Sequence, residues 1–334
     1  MFRKFKKILV SGAAGFIGSH LVDQLLSDGY TVVGLDNLIN GKLENIEQAQ
    51  SHPDFTFFKG DILSDKDISK AIDNVDMVYH LACLGVRHSI HSPFENHQVN
   101  ATGTLNMLKS SIKNKIKKFF YISTSEIYGK TNNFPITELT PTIPVTVYGS
   151  SKLAGEHYTN SFQECYGLDT TVLRIFNNYG PRAHYEGDSG EIIPRSIVKL
   201  LYGESPVIFG DGSVTRDFFY VKDTAKVLTS LIKSNKLTGK TFNIGTGIEI
   251  TMKKLLESLI ELMPENKTII EYLPNRPADV PRLWVNSKLI RSIIDVKEEK
   301  LFEDGLKETI KYYQDLSKMK NLKKDITLYN WEKQ

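Results

Sequence analysis

The chain has 334 residues, 40% hydrophobic, 24% charged and 10% aromatic. That excludes a long disordered chain or a collagen-like fibre and is enough for two domains, or one large α/β unit with a lobe. Lys and Arg number 42 against 39 Asp and Glu, so the net charge of +3 is too balanced to point to nucleic acid.

Two cysteines, Cys83 and Cys165, cannot build a disulfide framework, and reduced thiols are the simpler reading. No run of about 18 apolar residues reads as membrane-spanning. Residues 1–7 are basic and 8–18 fairly apolar, like the start of a secretory signal. Ser11, Gly12 and Gly15 interrupt that run, and an amphipathic helix follows with no small-residue cleavage site. A cytoplasmic protein without a membrane partner is expected.

Ile8-Leu9-Val10 is a short apolar run, as in a buried parallel strand. It enters Ser11-Gly12-Ala13-Ala14-Gly15-Phe16-Ile17-Gly18. A helical pattern follows, with Leu21, Val22, Leu25 and Leu26 on one face and Gly29 as its stop. Further strands are predicted over 31–35, 55–59, 77–81, 118–123 and 171–176. Helices over 65–72, 94–114 and 150–166 lie between most of them. This alternation predicts an α/β fold, a Rossmann-like doubly wound parallel sheet covered on both faces. Ligands of such sheets sit beyond the carboxyl ends of the strands.

After Asn177 the pattern changes. Residues 178–190 read as a long polar loop, followed by a helix over 193–202 and short strands near 207–209 and 218–220. A helix over 223–233 and a strand over 241–244 would rejoin the first sheet; helices over 252–262 and 302–316 follow. The expected division is a first domain over 1–177, with 213–245 returning to it, and a smaller α/β lobe over 178–212 and 246–334. The Lys-rich stretch after Ser317 reads as a solvated end.

Gly12-x-x-Gly15-x-x-Gly18 sits between a strand and a helix. Glycines allow the sharp turn and let backbone N–H groups approach a pyrophosphate, aided by the helix dipole. Asp36 lies 18 residues after Gly18, at the end of the second strand. A carboxylate there can accept both hydrogen bonds of an adenosine ribose and would repel a 2′-phosphate, which favours NAD over NADP. Asp61 follows the third strand, within reach of an adenine amine. A tight turn at the glycines and a capping role for Asp36 are the plainer alternatives.

Tyr148-Gly-Ser-Ser-Lys152 opens a helical stretch, and at i and i+4 the two side chains share a face. A phenol has a pKa of about 10. A neighbouring ammonium and a positive nicotinamide ring both favour phenolate, making Tyr148 a base. Upstream, Ser123-Thr124-Ser125-Glu126-Ile127-Tyr128-Gly129 starts at a strand end and offers hydroxyls and a carboxylate at the ligand-bearing edge.

With these pieces in order, the chain resembles the extended short-chain dehydrogenases/reductases, in the NAD-dependent epimerase/dehydratase group acting on nucleotide sugars. The resemblance also rests on Asp36-Asn37-Leu38, Asp61-Ile62, His80-Leu81-Ala82, Asn100, 174–181, Arg216-Asp217-Phe218 and Asn275-Arg276-Pro277. It implies that NAD is held by Gly12, Gly15, Phe16, Ile17, Gly18, Asp36, Asn37, Asp61, Ile62, Leu81, Ala82, Asn100, Tyr148 and Lys152, with no metal. It implies a nucleoside-diphosphate sugar as substrate. Asn177 matches a diphosphate contact, Arg216 and Arg276 match arginines that clamp the diphosphate and nucleotide, and Pro206–Gly210 resembles the stretch holding the base. Guanidinium suits phosphate because it offers a bidentate fork. Family members are usually homodimers through a four-helix bundle, to which 94–114 and 150–166 would contribute here.

The shared first step implied is oxidation at sugar C4, with Thr124 orienting the hydroxyl and Tyr148 taking its proton. A 4-epimerase then needs no further base. A UDP-glucuronate decarboxylase loses carbon dioxide from a β-keto acid. A 4,6-dehydratase needs a base at C5, and Glu126, helped by Ser125, is the candidate. Thr-Ser-Glu replaces the Thr-Asp-Glu of many thymidine-sugar dehydratases. It resembles the motif of GDP-mannose and UDP-N-acetylglucosamine dehydratases, and also of UDP-glucuronate decarboxylases. Arg87 is a further candidate substrate contact, and Arg182 would suit a uronate carboxylate. Dehydration is the leading expectation, with 4-epimerisation, decarboxylation, simple redox use on a small alcohol or ketone, and a non-catalytic NAD-binding sensor as alternatives.

Overall fold

The computed structural model describes residues 6–234, 236–265, 268–294 and 299–332. Residues 1–5 of the basic start lie outside this set. The large sheet is built from β1 (Lys7–Ser11), β2 (Thr31–Asp36), β3 (Phe55–Lys59), β4 (Met77–His80), β5 (Lys118–Thr124), β6 (Thr170–Ile175) and β7 (Lys240–Ile244). Its order is β7-β6-β5-β4-β1-β2-β3, and every pair is parallel. This is the Rossmann-like doubly wound sheet. The strand order reverses between β1 and β4, where a crevice opens at the carboxyl edge.

Burial on both faces explains the apolar runs. Ile8 and Val10 of β1 pack into one core with Met77, Phe120, Leu173 and Phe242. Leu9 faces the other core with Val33, Val78, Phe119 and Val172. The period of two along each strand thus divides one hydrophobic run between two layers.

The helices that matter for the site are α1 (Phe16–Ser27), α2 (Asp65–Ala71), α3 (Gly103–Lys113), α4 (Val147–Tyr166) and α5 (Val221–Ser230). The helix expected over 94–114 is real but irregular. Pro93–His97 leads into a π-helical turn, Gln98–Thr102, before α3. Such turns are frequent at functional sites. α4 starts three residues earlier than expected, because the Thr146 side chain caps it by accepting from Gly149 N–H at 3.0 Å. Tyr148 is therefore in its first turn.

β7 hydrogen-bonds to β6 and α5 packs against α1. Thr215–Arg216 instead pairs with Ile250–Thr251 and Arg282–Leu283 in a small separate sheet. Phe218–Tyr220 runs parallel to Asn177–Tyr179. The lobe has its own core of Tyr179, Ile197, Leu255, Leu259, Leu306 and Tyr313. Two further stretches depart from expectation. Ile290, within the span read as lobe, is buried in the first core, with Ile293 and Ile294 packed against it. The stretch after Ser317 is not simply solvated: Leu322, Asn330 and Trp331 are buried. In both cases a few apolar residues among polar ones are too sparse to show a period.

Behind the site, Glu156 of α4 and Arg174 of β6 form a buried pair. Arg174 Nη2 donates to Glu156 Oε2 at 2.7 Å and Nε to Oε1 at 3.0 Å. Arg174 Nη1 also donates to Tyr128 OH at 2.8 Å, and that hydroxyl donates to Asn243 Oδ1 at 2.7 Å. Removing one member of such a pair strands a buried charge. Glu156→Gln is expected to cost about 3–5 kcal/mol of stability, read from urea unfolding midpoints.

Candidate active site

A cavity lies along the carboxyl edge of the large sheet and continues under the lobe. At its first end the chain turns sharply at Gly12, whose φ of +74° and close approach to Ala82 require glycine; an added Cβ would lie 2.9 Å from Ala82 N. Gly18 is as tightly placed, since a Cβ there would fall 1.9 Å from the Gly12 carbonyl oxygen. No side chain caps the start of α1, so its first-turn N–H groups are left for a ligand. Asp36 is fixed at the end of β2, its Oδ2 accepting from Ala14 N–H at 3.0 Å and Oδ1 from Leu38 N–H at 2.8 Å. Burial pushes its carboxyl up, and those two N–H groups pull the other way. Gly12, Gly15, Phe16, Ile17, Gly18, Asp36, Asn37, Ile62, Leu81 and Ala82 all line this end, and the set fits a dinucleotide.

Two residues expected to touch the cofactor do not line the cavity. Asp61 is turned to its neighbours: Oδ2 accepts from Asn37 Nδ2 at 3.1 Å and Oδ1 from Leu63 N–H at 2.8 Å. Asn100, in the π-helical turn, is 1% exposed and acts as a clip. Its Oδ1 accepts from Leu84 N–H at 2.8 Å, while Nδ2 donates to Leu84 O, Asn96 Oδ1 and Ser151 Oγ. It thus ties the 81–85 loop to the start of α4. A short motif shows that an Asn is present, not that its amide is spent on backbone.

Thr124, Ser125, Glu126, Tyr148 and Lys152 meet in the middle of the cavity. Thr124 ends β5, accepts from Glu126 N–H at 3.2 Å and lies near the Tyr148 hydroxyl. Lys152 donates to Ile122 O at 2.6 Å and sits 4.4 Å over the Tyr121 ring. Burial pushes Tyr148 well above the usual phenol range, and nearby Cys83 adds to this; the Thr124 hydroxyl opposes it. Burial lowers the Lys152 pKa, and its ammonium is directed at a carbonyl. Cys83 also borders this part of the cavity.

The Glu126 carboxylate makes no hydrogen bond or ion pair to another described residue. Burial raises its pKa, Arg216 pulls it back, and Asp279 pushes it up again. It does not tether a loop.

Toward the lobe the cavity is lined by Arg87, Asn177, Arg216 and Arg276. Asp279 joins two of them, accepting from Arg216 Nη2 at 3.0 Å and from Arg276 Nη2 at 2.9 Å. Asn177 Oδ1, Arg87 Nε and Arg276 Nε are buried without partners within the chain. Buried polar groups normally find partners, so these three are what a polar ligand would satisfy. Arg182 departs from expectation. Its Nη1 donates to Asp23 Oδ2 on α1 at 2.6 Å, and it does not line the cavity. A carboxylate from another element claimed it, which spacing cannot reveal. Asp279, Glu191 and Trp331 line the cavity but were missed. Asp279 alone had a signal, three residues after Arg276.

A parallel sheet in this order, with Tyr and Lys one helical turn apart at the switch-point cavity, defines the short-chain dehydrogenase/reductase class. Comparison with known proteins narrows it. The family model described as GDP-mannose 4,6-dehydratase matches residues 9–309. The chain is similar to the UDP-glucose 4-epimerase of Mycolicibacterium smegmatis, 32% identical over 319 residues that span 93% of this chain and 99% of that one. It is similar to a solved UDP-N-acetylglucosamine 4-epimerase from Methanobrevibacter ruminantium, in complex with UDP-N-acetylmuramic acid. That match has 36% identity and a TM-score of 0.88 over 94% of this chain and 99% of that one. A Streptomyces venezuelae dTDP-glucose 4,6-dehydratase solved with NAD bound matches at 27% identity and a TM-score of 0.88, over 94% and 98% of the chains. The chain belongs to the NAD-dependent epimerase/dehydratase family of extended short-chain dehydrogenases/reductases that act on nucleotide sugars. It is an enzyme, which sets aside the non-catalytic sensor. No described helix is long and apolar enough to cross a membrane.

The raised pKa of Glu126 has a stability consequence. The folded chain takes up this proton at higher pH than the unfolded chain, whose carboxyl titrates near about 4.3. The charged carboxylate therefore costs stability above the folded pKa, and the cost fades as pH falls toward the unfolded value. Glu126→Gln should stabilise the chain at neutral pH, and the urea-midpoint advantage should vanish by about pH 4.

Proposed function

We propose that the protein is a 4,6-dehydratase of a nucleoside-diphosphate hexose, with NAD as its cofactor. The observation that carries this reading is Glu126: a half-buried carboxylate on the cavity wall near Thr124 and Tyr148, with no hydrogen bond or ion pair to another described residue. A 4-epimerase needs no base there. When bound at the glycine turn, NAD supplies the hydride acceptor and donor, and its positive ring favours the Tyr148 phenolate.

The residues then divide the remaining work. Thr124 orients the C4 hydroxyl and Tyr148 takes its proton. The C4 ketone makes the C5 proton acidic, and Glu126 takes it. Glu126, now protonated and assisted by Ser125, returns that proton to the leaving C6 hydroxyl, which departs as water; the 5,6-alkene left behind would take hydride back at C6 and a new, solvent-derived proton at C5. The raised carboxyl pKa suits a group that must both take and give a proton. Arg216 and Arg276 hold the diphosphate, with Asn177 and Arg87 contacting diphosphate and sugar.

The 4-epimerases among the relatives support a second reading, 4-epimerisation of a UDP-sugar. Decarboxylation loses its support from Arg182, which Asp23 occupies. We also read the protein as a cytoplasmic homodimer. Two free thiols suit the location, and exposed Phe94, Leu105 and Tyr166 on the 93–113 and α4 helices suit a four-helix interface.

Turnover of UDP-, GDP-, dTDP- and CDP-hexoses in heavy water tests the reaction. A product lighter by one water and carrying deuterium at C5 is expected. An unchanged mass with no C5 label overturns dehydration in favour of 4-epimerisation. Glu126→Gln should accumulate enzyme-bound NADH on mixing with substrate. Tyr148→Phe should keep NAD binding and lose about 10²–10⁴-fold in rate, the usual worth of a general base; near-normal turnover would remove Tyr148 from that role.

A further inference from the structure

The 326–331 segment reaches the cavity and no step above uses it. Trp331 and Arg276 both line the cavity, although Trp331 is only 9% exposed. Its ring stands edge-on to Phe209, with centroids 4.8 Å apart and planes at 80°. Tyr329 completes the cluster, 5.5 Å from Trp331 and 6.1 Å from Phe209. Arg276 Cζ lies 5.9 Å from the Phe209 ring centroid. The segment is pinned rather than loose. Arg195 donates to the carbonyls of Thr327 and Leu328, the latter at 3.1 Å, and Asn330 Nδ2 donates to Gly190 O at 3.1 Å.

We propose that Trp331 forms a wall of the substrate site at its nucleoside end. This rests on the nucleotide-sugar reading and on the order of chemistry along the cavity, not on which reaction follows. The reacting sugar carbon must meet Tyr148 and Thr124. The diphosphate then falls to Arg216 and Arg276, the unpartnered Arg276 Nε among their donors. A nucleoside carried beyond the diphosphate arrives where Arg276 gives way to aromatic rings. A flat, apolar-faced base suits an indole held in place by its neighbours, because a wall ordered before binding loses little entropy. Trp331 would then recognise a part of the substrate that takes no part in the chemistry.

The test uses nucleoside diphosphates without sugar, so that binding is read apart from turnover. The chain has two tryptophans, and Trp284→Phe leaves Trp331 as the sole emitter. Saturable change of its emission on titration with UDP, dTDP, GDP or CDP is expected. Trp331→Ala should weaken the best-bound diphosphate by about 10–100-fold, the worth of a lost base–aromatic contact. It should raise KM for the nucleotide sugar and spare kcat and NAD affinity, and Trp331→Phe should restore most of the loss. The proposal is overturned if emission stays constant while calorimetry shows the diphosphate bound. It is also overturned if Trp331→Ala binds the diphosphate normally, or weakens NAD and diphosphate alike. If Trp331→Ala does not fold, the emission titration of the intact ring decides. If no diphosphate binds the wild-type chain, the nucleotide-sugar reading falls, and this proposal with it; normal diphosphate binding beside an unchanged Trp331 signal sinks the proposal alone.

Discussion

Lys152 donating to the carbonyl of Ile122 is the contact on which the site depends. It joins the first turns of α4 to the last residues of β5, and so brings the Tyr148 hydroxyl to Thr124. Tyr121 closes the same joint from below, its hydroxyl donating to the Lys152 carbonyl at 3.0 Å. Gly155 is small because a Cβ there would lie 2.2 Å from that hydroxyl. The buried ammonium is thus engaged structurally before any ligand arrives. Its burial lowers its own pKa, and burial likewise holds the Tyr148 proton in place.

Charge is balanced with similar economy around Glu126. Arg216, Arg276 and Arg87 face it, but Asp279 already engages two of the three. The carboxyl feels both signs, and burial decides the direction of its shift. A full ion pair with any one arginine would have held the carboxylate charged and pushed its pKa down, leaving a poor proton donor. With the arginines shared, the carboxyl is left to burial, and Arg276 Nε still has no partner among the described residues.

Most of the first unit was legible in the sequence. Apolar runs of strand length, a glycine turn before a helix and Asp36 at a strand end are local signals, and the sheet is assembled from local units. The Tyr148 and Lys152 pair was legible because i and i+4 share a face. The misread residues are those whose role is set across long stretches of chain. Arg182 meets Asp23 over 159 positions, and Asn100 turns its amide to Leu84 and Ser151. Asp61 accepts from Asn37 and Leu63, because a carboxylate after a strand can serve its own turn as well as a ligand. Trp331 was hidden because a lone aromatic in a Lys-rich stretch has no period, and its partner Phe209 lies far back in the chain.

The route of the backbone between the two units adds something about how the protein is partitioned. The chain leaves the large sheet after Ile175, returns at α5 and β7, leaves again to pair Ile250 with Arg216, and comes back where Ile290 enters the first core. It then departs once more for the helix Phe302–Met319, which packs in the lobe. Ile136 bridges to Val285 across the same boundary. No single cut along the sequence separates the large sheet and its cores from the lobe. The lobe is stitched into its partner rather than appended to it, so it is not an exchangeable cassette, and a change of sugar must come by replacing side chains within a fixed weave.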